Sequence, residues 1–191
     1  MSRNTVNTKL VKKVKLGDTN AFRLLVEEYQ HMVFTVALNI VKNHEEAEEV
    51  AQDTFIKVYK NISQYNGDAK FSSWLYKIVY NTALSRLKKK KIDQYSLDDH
   101  HEKDYGLSIH EGWTELVLDD QKKYIQQALD KLSEQDRLVL TLYYLAEEGL
   151  NEICVITNEK KSTVKVRLHR ARAKLFDQLN TLLKEELKAL V

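Results

Sequence analysis

Residues 150–174 read Leu150-Asn-Glu-Ile-Cys-Val-Ile-Thr-Asn-Glu-Lys-Lys-Ser-Thr-Val-Lys-Val-Arg-Leu-His-Arg-Ala-Arg-Ala-Lys174. A short apolar-faced segment is followed by a polar turn and a longer basic segment, which are the proportions of a helix-turn-helix. Asn158 stands where the chain must reverse, and asparagine tolerates left-handed backbone angles. Ser162 is expected to cap the second helix. The stretch therefore predicts a helical C-terminal module.

The second helix of this module divides into two faces. Its apolar stripe consists of Val164, Leu168, Ala171, Leu175 and Leu179. A helix that enters the major groove needs short or bidentate side chains near its N-terminus and basic ones for phosphates. The candidate duplex-DNA contacts are Ser162, Thr163, Lys165, Arg167, His169, Arg170 and Lys174. A merely solvated basic helix is the alternative, since charged helix faces are common.

The full chain contains only five glycines and no proline. Because these residues interrupt helices and form turns, their scarcity favours long helices over a sheet. An apolar stripe with helical spacing runs from Phe22 to Ile40, behind a possible N-cap in Gly17-Asp18-Thr19. Ser133-Glu-Gln-Asp136 is an approximate capping box before another helix. Between Asp93 and Asp120, nine acidic residues accompany one basic residue, Lys103. The sequence predicts an all-α protein with two small helical domains, 1–91 and 116–191, joined by an acidic flexible linker, 92–115.

A second helix is predicted from about His44, with acidic residues in its first turn where the helix dipole favours them. The face opposite its apolar stripe carries Glu46, Glu49, Gln52, Asp53 and Ile56. Acidic faces are usually only solvated. An apolar residue ringed by charge, however, is typical of a docking surface.

The segment Phe71–Lys91 combines aromatic rings with a run of lysines, and Ser72 or Ser73 could cap its helix. Phe71 and Trp74 are expected to pack in the core. Tyr76 and Tyr80 fall on another face, toward Lys88, where bases could stack on the rings while ammonium groups hold phosphates. The segment therefore predicts a surface for single-stranded nucleic acid.

Three motifs, in this order and spacing, resemble a bacterial RNA polymerase sigma factor of the extracytoplasmic-function (ECF) group. They are Glu45-Glu-Ala-Glu-Glu-Val-Ala-Gln-Asp-Thr-Phe-Ile-Lys-Val-Tyr59, Phe71-Ser-Ser-Trp-Leu-Tyr-Lys-Ile-Val-Tyr-Asn81, and Glu152-Ile-Cys with Thr163-Val-Lys-Val-Arg-Leu-His-Arg-Ala-Arg172. The resemblance spans everything except the N-terminal arm and the linker. It implies a non-enzymatic subunit without cofactor or metal that binds core polymerase and promoter DNA.

The resemblance also implies roles for individual segments. The acidic helix would dock on the clamp coiled coil of the largest polymerase subunit, and the turn 64–70 would capture a flipped base of the minus-ten element. The minus-ten residues would be Tyr65, Asn66, Lys70, Lys77, Tyr80, Asn81, Arg86 and Lys88. The C-terminal helix would read the minus-thirty-five element, the linker would thread toward the RNA channel, and an anti-sigma factor is an expected partner.

The sequence departs from the family pattern at three places. Leu132-Ser133 stands where Leu-Pro is usual, residues 158–162 replace a glycine-containing turn, and Val166 replaces a small polar residue. These departures make the promoter sequence that is read less predictable.

Two other functions compete with this interpretation. A helix-turn-helix repressor would account for residues 150–179 but not for the acidic face or the aromatic helix. A metalloenzyme would use His100, His101, Glu102 and His110, which lie in the predicted linker without helical ligand spacing. The lone Cys154 and the absence of a signal peptide or an apolar run of about 20 residues predict a cytoplasmic protein.

Overall fold

The computed structural model describes the backbone of residues 3–95 and 117–189, and the side chains of residues 9–90 and 123–184. Within these ranges the protein is built of helices and contains no strand. The helices are α1 (Arg3–Lys15), α2 (Thr19–Val41), α3 (His44–Asn61), α4 (Phe71–Tyr95), α5 (Val117–Asp130), α6 (Glu134–Leu140), α7 (Leu150–Thr157) and α8 (Lys161–Ala189). A 3₁₀ turn, Ile62–Gln64, follows α3, and a π-helical turn, Thr141–Leu145, follows α6.

The first helical domain consists of α1 to α4. Asp18 caps α2 by accepting the Ala21 N–H at 3.0 Å, as the sequence predicted, and Asn43 caps α3 in the same way. The apolar stripe of α2 lies in the core between α3 and α4. The helix ends at Val41, and its C-cap residue Lys42 adopts the left-handed conformation.

Helix α4 begins and ends outside its predicted limits. The sequence suggested Ser72 or Ser73 as its cap, but the helix already starts at Phe71, and the Lys70 carbonyl accepts the Trp74 N–H. Ser73 is instead a fully buried helical residue. The helix continues beyond the predicted domain boundary at Lys91 and ends at Tyr95.

The second domain contains the predicted helix-turn-helix in α7 and α8. Asn158 has φ 58°, the left-handed conformation expected of the turn residue. The predicted cap Ser162 was wrong, because α8 begins one residue earlier, at Lys161. Ser133 caps α6 as expected, accepting the Asp136 N–H at 3.3 Å. The two domains of the predicted all-α fold are therefore both present.

The two domains pack against each other, and each supplies a cation to a helix end of the other. Arg137 Nε donates to the Asn39 carbonyl at 2.6 Å, near the C-terminal end of α2. Lys42 Nζ donates to the carbonyl of Asp130, the last residue of α5, at 3.0 Å. The last carbonyls of a helix lack partners within it and carry partial negative charge, so cations stabilise them.

Arg137 is the largest side chain that is fully buried. Its Nη1 lies 3.6 Å from Asp130 Oδ1, an ion-pair distance, and neither Nη atom makes a hydrogen bond to a described residue. Burial lowers the pKa of Arg137. Beside it, Asn39 Nδ2 donates to Thr141 Oγ1 of the π-helical turn at 3.1 Å. A polar cluster thus lies inside the domain interface.

We predict that Arg137→Ala lowers the free energy of unfolding by about 3 kcal/mol, because it leaves a cavity and an uncapped carbonyl. Arg137→Met fills most of the volume without a buried charge and should cost less than about 1.5 kcal/mol. Urea unfolding followed by circular dichroism measures both values. Arg170→Ala, at an exposed position, is the control, with an expected change within about 0.5 kcal/mol. Equal losses for the alanine and methionine variants would contradict this explanation.

Candidate nucleic-acid interfaces and docking face

The acidic face of α3 is largely open to solvent. Glu49, Gln52 and Asp53 are exposed, and Ile56 is 52% exposed in their midst. Tyr59, one turn further, is also exposed, and its ring contacts Phe22 at 4.9 Å between centroids. Sequence reasoning missed Tyr59, although its place three residues after Ile56 could have indicated it. The exposed face thus combines carboxylates with an apolar end.

Two acidic side chains of this face form ion pairs with α4. Glu46 Oε1 lies 2.7 Å from Lys90 Nζ, and Glu49 pairs with Arg86. Arg86 was predicted to contact melted DNA and Glu49 to contact polymerase. The structure therefore brings one member of each predicted surface into direct contact.

The turn between α3 and α4 is held by Tyr65. Its hydroxyl donates to the Ala69 carbonyl at 2.6 Å, and its ring lies 5.6 Å from Phe71 and 5.5 Å from Trp74 between centroids. Burial raises the pKa of Tyr65. From α1, Lys15 donates to the Tyr65 carbonyl and lies 5.8 Å from the centroid of its ring. Tyr65 thus supports the turn rather than projecting from it.

The tip of this turn is exposed. Asn66 accepts the Asp68 N–H through its side chain at 3.3 Å, and Gly67 between them has φ 90°, which favours glycine. The side chains of Asn66 and Lys70 reach solvent on either side of it. The turn can therefore present polar groups in a fixed backbone conformation.

The aromatic face predicted on α4 is smaller than expected. Tyr76 was placed there with Tyr80 but is buried, with its ring 6.5 Å from that of Tyr29. Phe71 is buried and Trp74 packs beside it, as predicted. Lys77 and Tyr80 are half-buried, and Asn81 and Lys88 are exposed.

Tyr80 faces the second domain. Burial raises the pKa of its phenol, and the negative charge of Glu159 raises it further. Glu159 lies in the turn of the helix-turn-helix. This places part of the predicted minus-ten surface close to the helix-turn-helix.

The N-terminal half of α8 lines a cleft of about 530 Å³. Its lining includes the predicted residues Ser162, Thr163, Arg167, Arg170 and Lys174, and also Val166, Ser133 and Asp136. Lys165 and His169 are exposed but are not part of the lining. Sequence reasoning missed Val166 as a site residue. Val166 follows Thr163 by three positions and precedes Arg170 by four, so all of these residues lie on one helix face.

Charges in the cleft are partly paired within the domain. Arg167 donates to both carboxylate oxygens of Glu159, at 2.7 and 3.3 Å, and to Gln135 Oε1 at 2.6 Å. Lys174 Nζ lies 2.6 Å from Asp136 Oδ2. Arg170 makes no ion pair or hydrogen bond to a described side chain. Arg170 is thus available to a ligand, whereas Arg167 is already oriented by its partners.

Among the side chains that the structure describes, no group of histidine, cysteine and acidic residues could hold a metal ion. The alternative metal ligands His100, His101, Glu102 and His110 lie outside the described residues. No helix in the described part of the chain has the length and hydropathy needed to cross a membrane.

Comparison with protein families gives two matches, one in each domain. The family described as Sigma-70 region 2 matches residues 25–92. The family described as Sigma-70, region 4 matches residues 122–175. Helix α1, which contacts Tyr65, lies outside both matches.

The curated relatives are similar over nearly their whole length. The chain is 36% identical to the ECF RNA polymerase sigma factor SigW of Bacillus subtilis, over 91% of this chain and 97% of the relative. It is 32% identical to the RNA polymerase sigma-H factor of Pseudomonas aeruginosa, over 92% of this chain and 95% of the relative.

Among solved structures, the fold is similar to that of the sigma factor RpoE of Bartonella quintana, which was crystallised with the anti-sigma factor NepR. The TM-score is 0.72, and the identity is 22% over 83% of this chain and 96% of that chain. It is also similar to CnrH in complex with the cytosolic domain of CnrY, with a TM-score of 0.66 and 20% identity over 92% of this chain and 98% of that chain. At these identities the similarity shows the fold alone.

A repressor built only on the helix-turn-helix would account for the match to region 4 but not for the match to region 2. Both regions occur here in one chain, in the same order as in relatives that it covers almost completely. The chain therefore belongs to the ECF group of bacterial RNA polymerase sigma factors.

Proposed function

We propose that the protein binds core RNA polymerase through its first domain, directs it to specific promoters and helps to melt promoter DNA. The observation that best supports this proposal is that one chain contains both sigma regions, with an exposed acidic face on the first and a cleft lined by basic side chains on the second. Sigma factors are not enzymes, and we assign this chain no catalytic residue or cofactor. Its domains would be residues 1–91 and 116–191, joined by residues 92–115.

The exposed part of the α3 face is the proposed polymerase contact. Gln52, Asp53 and Ile56 are exposed and offer carboxylate, amide and apolar groups in adjacent turns. Glu46 and Glu49 would join them once their ion pairs with α4 are exchanged. The Glu49–Arg86 pair is exposed, and exposed pairs contribute only about 0–1 kcal/mol, so its exchange costs little. The Glu46 side chain is largely buried, so exchanging its partner Lys90 costs more. The proposed partner is the clamp coiled coil of the largest polymerase subunit.

Asp53→Lys should weaken binding to core polymerase by about tenfold, because it reverses a charge at the proposed contact. Asp53 is more informative than Glu49, since Glu49→Lys also breaks the pair with Arg86. Surface plasmon resonance with immobilised core enzyme measures the affinity. Asp177→Lys makes the same charge change at an exposed position on α8 and is the control. If both variants bind equally well, the docking assignment fails.

The turn 64–70 and α4 are the proposed minus-ten surface. Asn66 and Lys70 would contact a base that leaves the stack, while Tyr65 shapes the turn through its bond to Ala69. Lys77, Tyr80, Asn81, Arg86 and Lys88 would contact the opened strand. Flipping a base costs a few kcal/mol, which a fitted polar pocket offsets.

The α8 cleft is the proposed minus-thirty-five surface. Arg170 is free to reach a phosphate or guanine, whereas Arg167 would contact DNA in the orientation that Glu159 fixes. Lys165 and His169, outside the cleft lining, would contact flanking phosphates. Val166 would offer an apolar contact to a thymine methyl group.

Arg170→Ala should reduce the affinity of the holoenzyme for promoter duplex. The logarithm of the binding constant falls as the logarithm of the salt concentration rises, and this negative slope should become smaller in magnitude by about one. Arg167→Ala should also reduce affinity but change the slope less, because Glu159 already compensates its charge. Filter binding across a salt series measures both quantities. Lys184→Ala, at an exposed position near the end of α8, is the control. An unchanged slope for Arg170→Ala would exclude it from the phosphate contacts.

In vitro transcription with core polymerase and a promoter library tests the function as a whole. Full-length transcripts from selected promoters, together with permanganate-reactive thymines at the minus-ten element, are the expected result. Transcripts without reactive thymines would exclude the melting role, and the absence of selected promoters would exclude promoter recognition.

We further propose an anti-sigma factor as a regulatory partner, because two proteins of similar fold were solved in complexes, one with the anti-sigma factor NepR and one with CnrY. Those complexes are properties of those proteins, and the partner of this chain is to be identified by co-purification. The site of action would be the cytoplasm, where RNA polymerase is found.

A further inference from the structure

The last part of α8 extends beyond the region 4 match, which ends at residue 175. Its buried stripe continues through the half-buried residues Leu175, Leu179 and Leu182, and α8 packs against α5. Two large apolar side chains lie beside this stripe: Phe176 is 64% exposed and Leu183 is 47% exposed. This part of α8 therefore has a second apolar face that its own domain leaves open.

The second face follows the spacing of a coiled coil. Asn180 lies four residues after Phe176 and three before Leu183, and the sequence repeats these steps at Leu187 and Leu190. Alternating steps of four and three are the a/d pattern, with Phe176 and Leu183 at d and Asn180 at a. Isolated helices of this length would be only marginally stable in water, but the folded domain already holds α8 as a helix, so pairing does not bear the cost of helix nucleation.

Asn180 indicates which partner fits this face. Its side-chain amide can both donate and accept hydrogen bonds. In a parallel pair of identical chains the a positions face each other, so the amide of Asn180 would meet the same amide of a second copy. An antiparallel copy would instead place a d residue such as Leu183 opposite it, and a purely apolar helix would leave the amide without a partner. A second copy in parallel alignment therefore satisfies the group.

The charges beside this face are also self-complementary. Arg172 lies at a g position and Asp177 at an e position of the same pattern, and both are exposed. In a parallel coiled coil a g side chain lies beside the e side chain five residues further along the partner, so Arg172 of each copy would approach Asp177 of the other. The Arg172 guanidinium carbon lies 5.5 Å from the ring centroid of Tyr143 and 5.7 Å from that of Tyr144, which restricts the direction of this side chain. Twofold symmetry would form this ion pair twice.

We propose that the chain self-associates as a parallel dimer through the end of α8, with Phe176, Asn180 and Leu183 in the contact. Its dissociation constant is on the order of 10–100 µM, because two heptads bury less than the roughly 1,200 Å² of a stable interface. The proposed minus-thirty-five cleft stays open, since Arg170 lies about 120° around the helix from Phe176. At the lower concentrations of polymerase and DNA binding measurements the chain is monomeric, so exposed positions such as Asp177 remain neutral there.

Sedimentation equilibrium of the full chain between about 1 and 200 µM tests the dimer, because association follows mass action. The average mass should rise from that of one chain toward that of two. Leu183→Glu brings two carboxylates together in the contact and should raise the dissociation constant at least about tenfold. Thr181→Glu introduces the same acid at an exposed position on another face of α8 and should change it less than about twofold.

Two substitutions at Asn180 test the alignment of the helices. Asn180→Ile replaces the amide by a β-branched residue that favours two-stranded coiled coils at a, so affinity should increase at least about fivefold. A residue with only an intramolecular role would give no such gain. Asn180→Cys, in a Cys154→Ser background, should form an intermolecular disulfide under mild oxidation, because a positions approach each other only in the parallel pair.

Each contrary result overturns a stated part of the inference. A parent chain that stays monomeric up to about 200 µM refutes self-association. Equal effects of Leu183→Glu and Thr181→Glu refute the placement of the contact on this face. Absence of both the Asn180→Ile gain and the Asn180→Cys cross-link refutes the parallel alignment. A monomeric chain whose Leu183→Glu variant binds core polymerase more weakly would assign this face to polymerase and refute the dimer.

Discussion

The packing of the two domains against each other depends on the hydrogen bonds made to two helix ends. The carbonyl groups at the end of α2 have no partners within the helix, and Arg137 from the other domain donates to one of them. Lys42, just beyond the same helix end, donates to the carbonyl of Asp130 at the end of α5. Because each domain stabilises a helix terminus of the other, their contact is specific in orientation. It brings the π-helical turn against α2 and α7 against α4.

Several charged side chains of the proposed surfaces are already paired within the protein. Lys70 pairs with Glu152, Arg167 with Glu159, and Lys174 with Asp136. Such pairs fix side-chain directions and limit non-specific attraction to nucleic acid, which is consistent with a net charge of only +2. The pair of Lys70 with Glu152 is partly exposed, so a ligand can replace one partner at a small electrostatic cost. Asp136 is buried, so withdrawing Lys174 from it costs more.

Local patterns predicted much of the fold. Asp18, Ser133 and Asn158 were identified from sequence because caps and turns depend on a few neighbouring residues. Ser162 and the serines after Phe71 were misassigned as caps, since both helices begin earlier than their best capping residues.

Tertiary packing explains the rest of the differences. Tyr76 was placed on the surface because the periodicity of α4 indicated a single buried stripe. Helix α4 in fact packs against α2 and α3 within its domain and against α7 from the other, so its buried arc is wider than one stripe. The contact of Glu148 with Ser73 joins residues 75 positions apart, which no local pattern can indicate. The residue types along each segment therefore predicted the candidate surfaces, but they did not predict which side chains of the same protein contact those surfaces.

The pair between Glu49 and Arg86 links two proposed surfaces through a single ion pair. A protein that engages the carboxylate of Glu49 leaves the guanidinium of Arg86 without its counter-ion, and the local potential along α4 becomes more positive. Attraction for a polyanion then increases without any movement of the backbone. Assembly with one macromolecule is in this way thermodynamically coupled to affinity for the other, and by reciprocity the coupling has the same size in both directions.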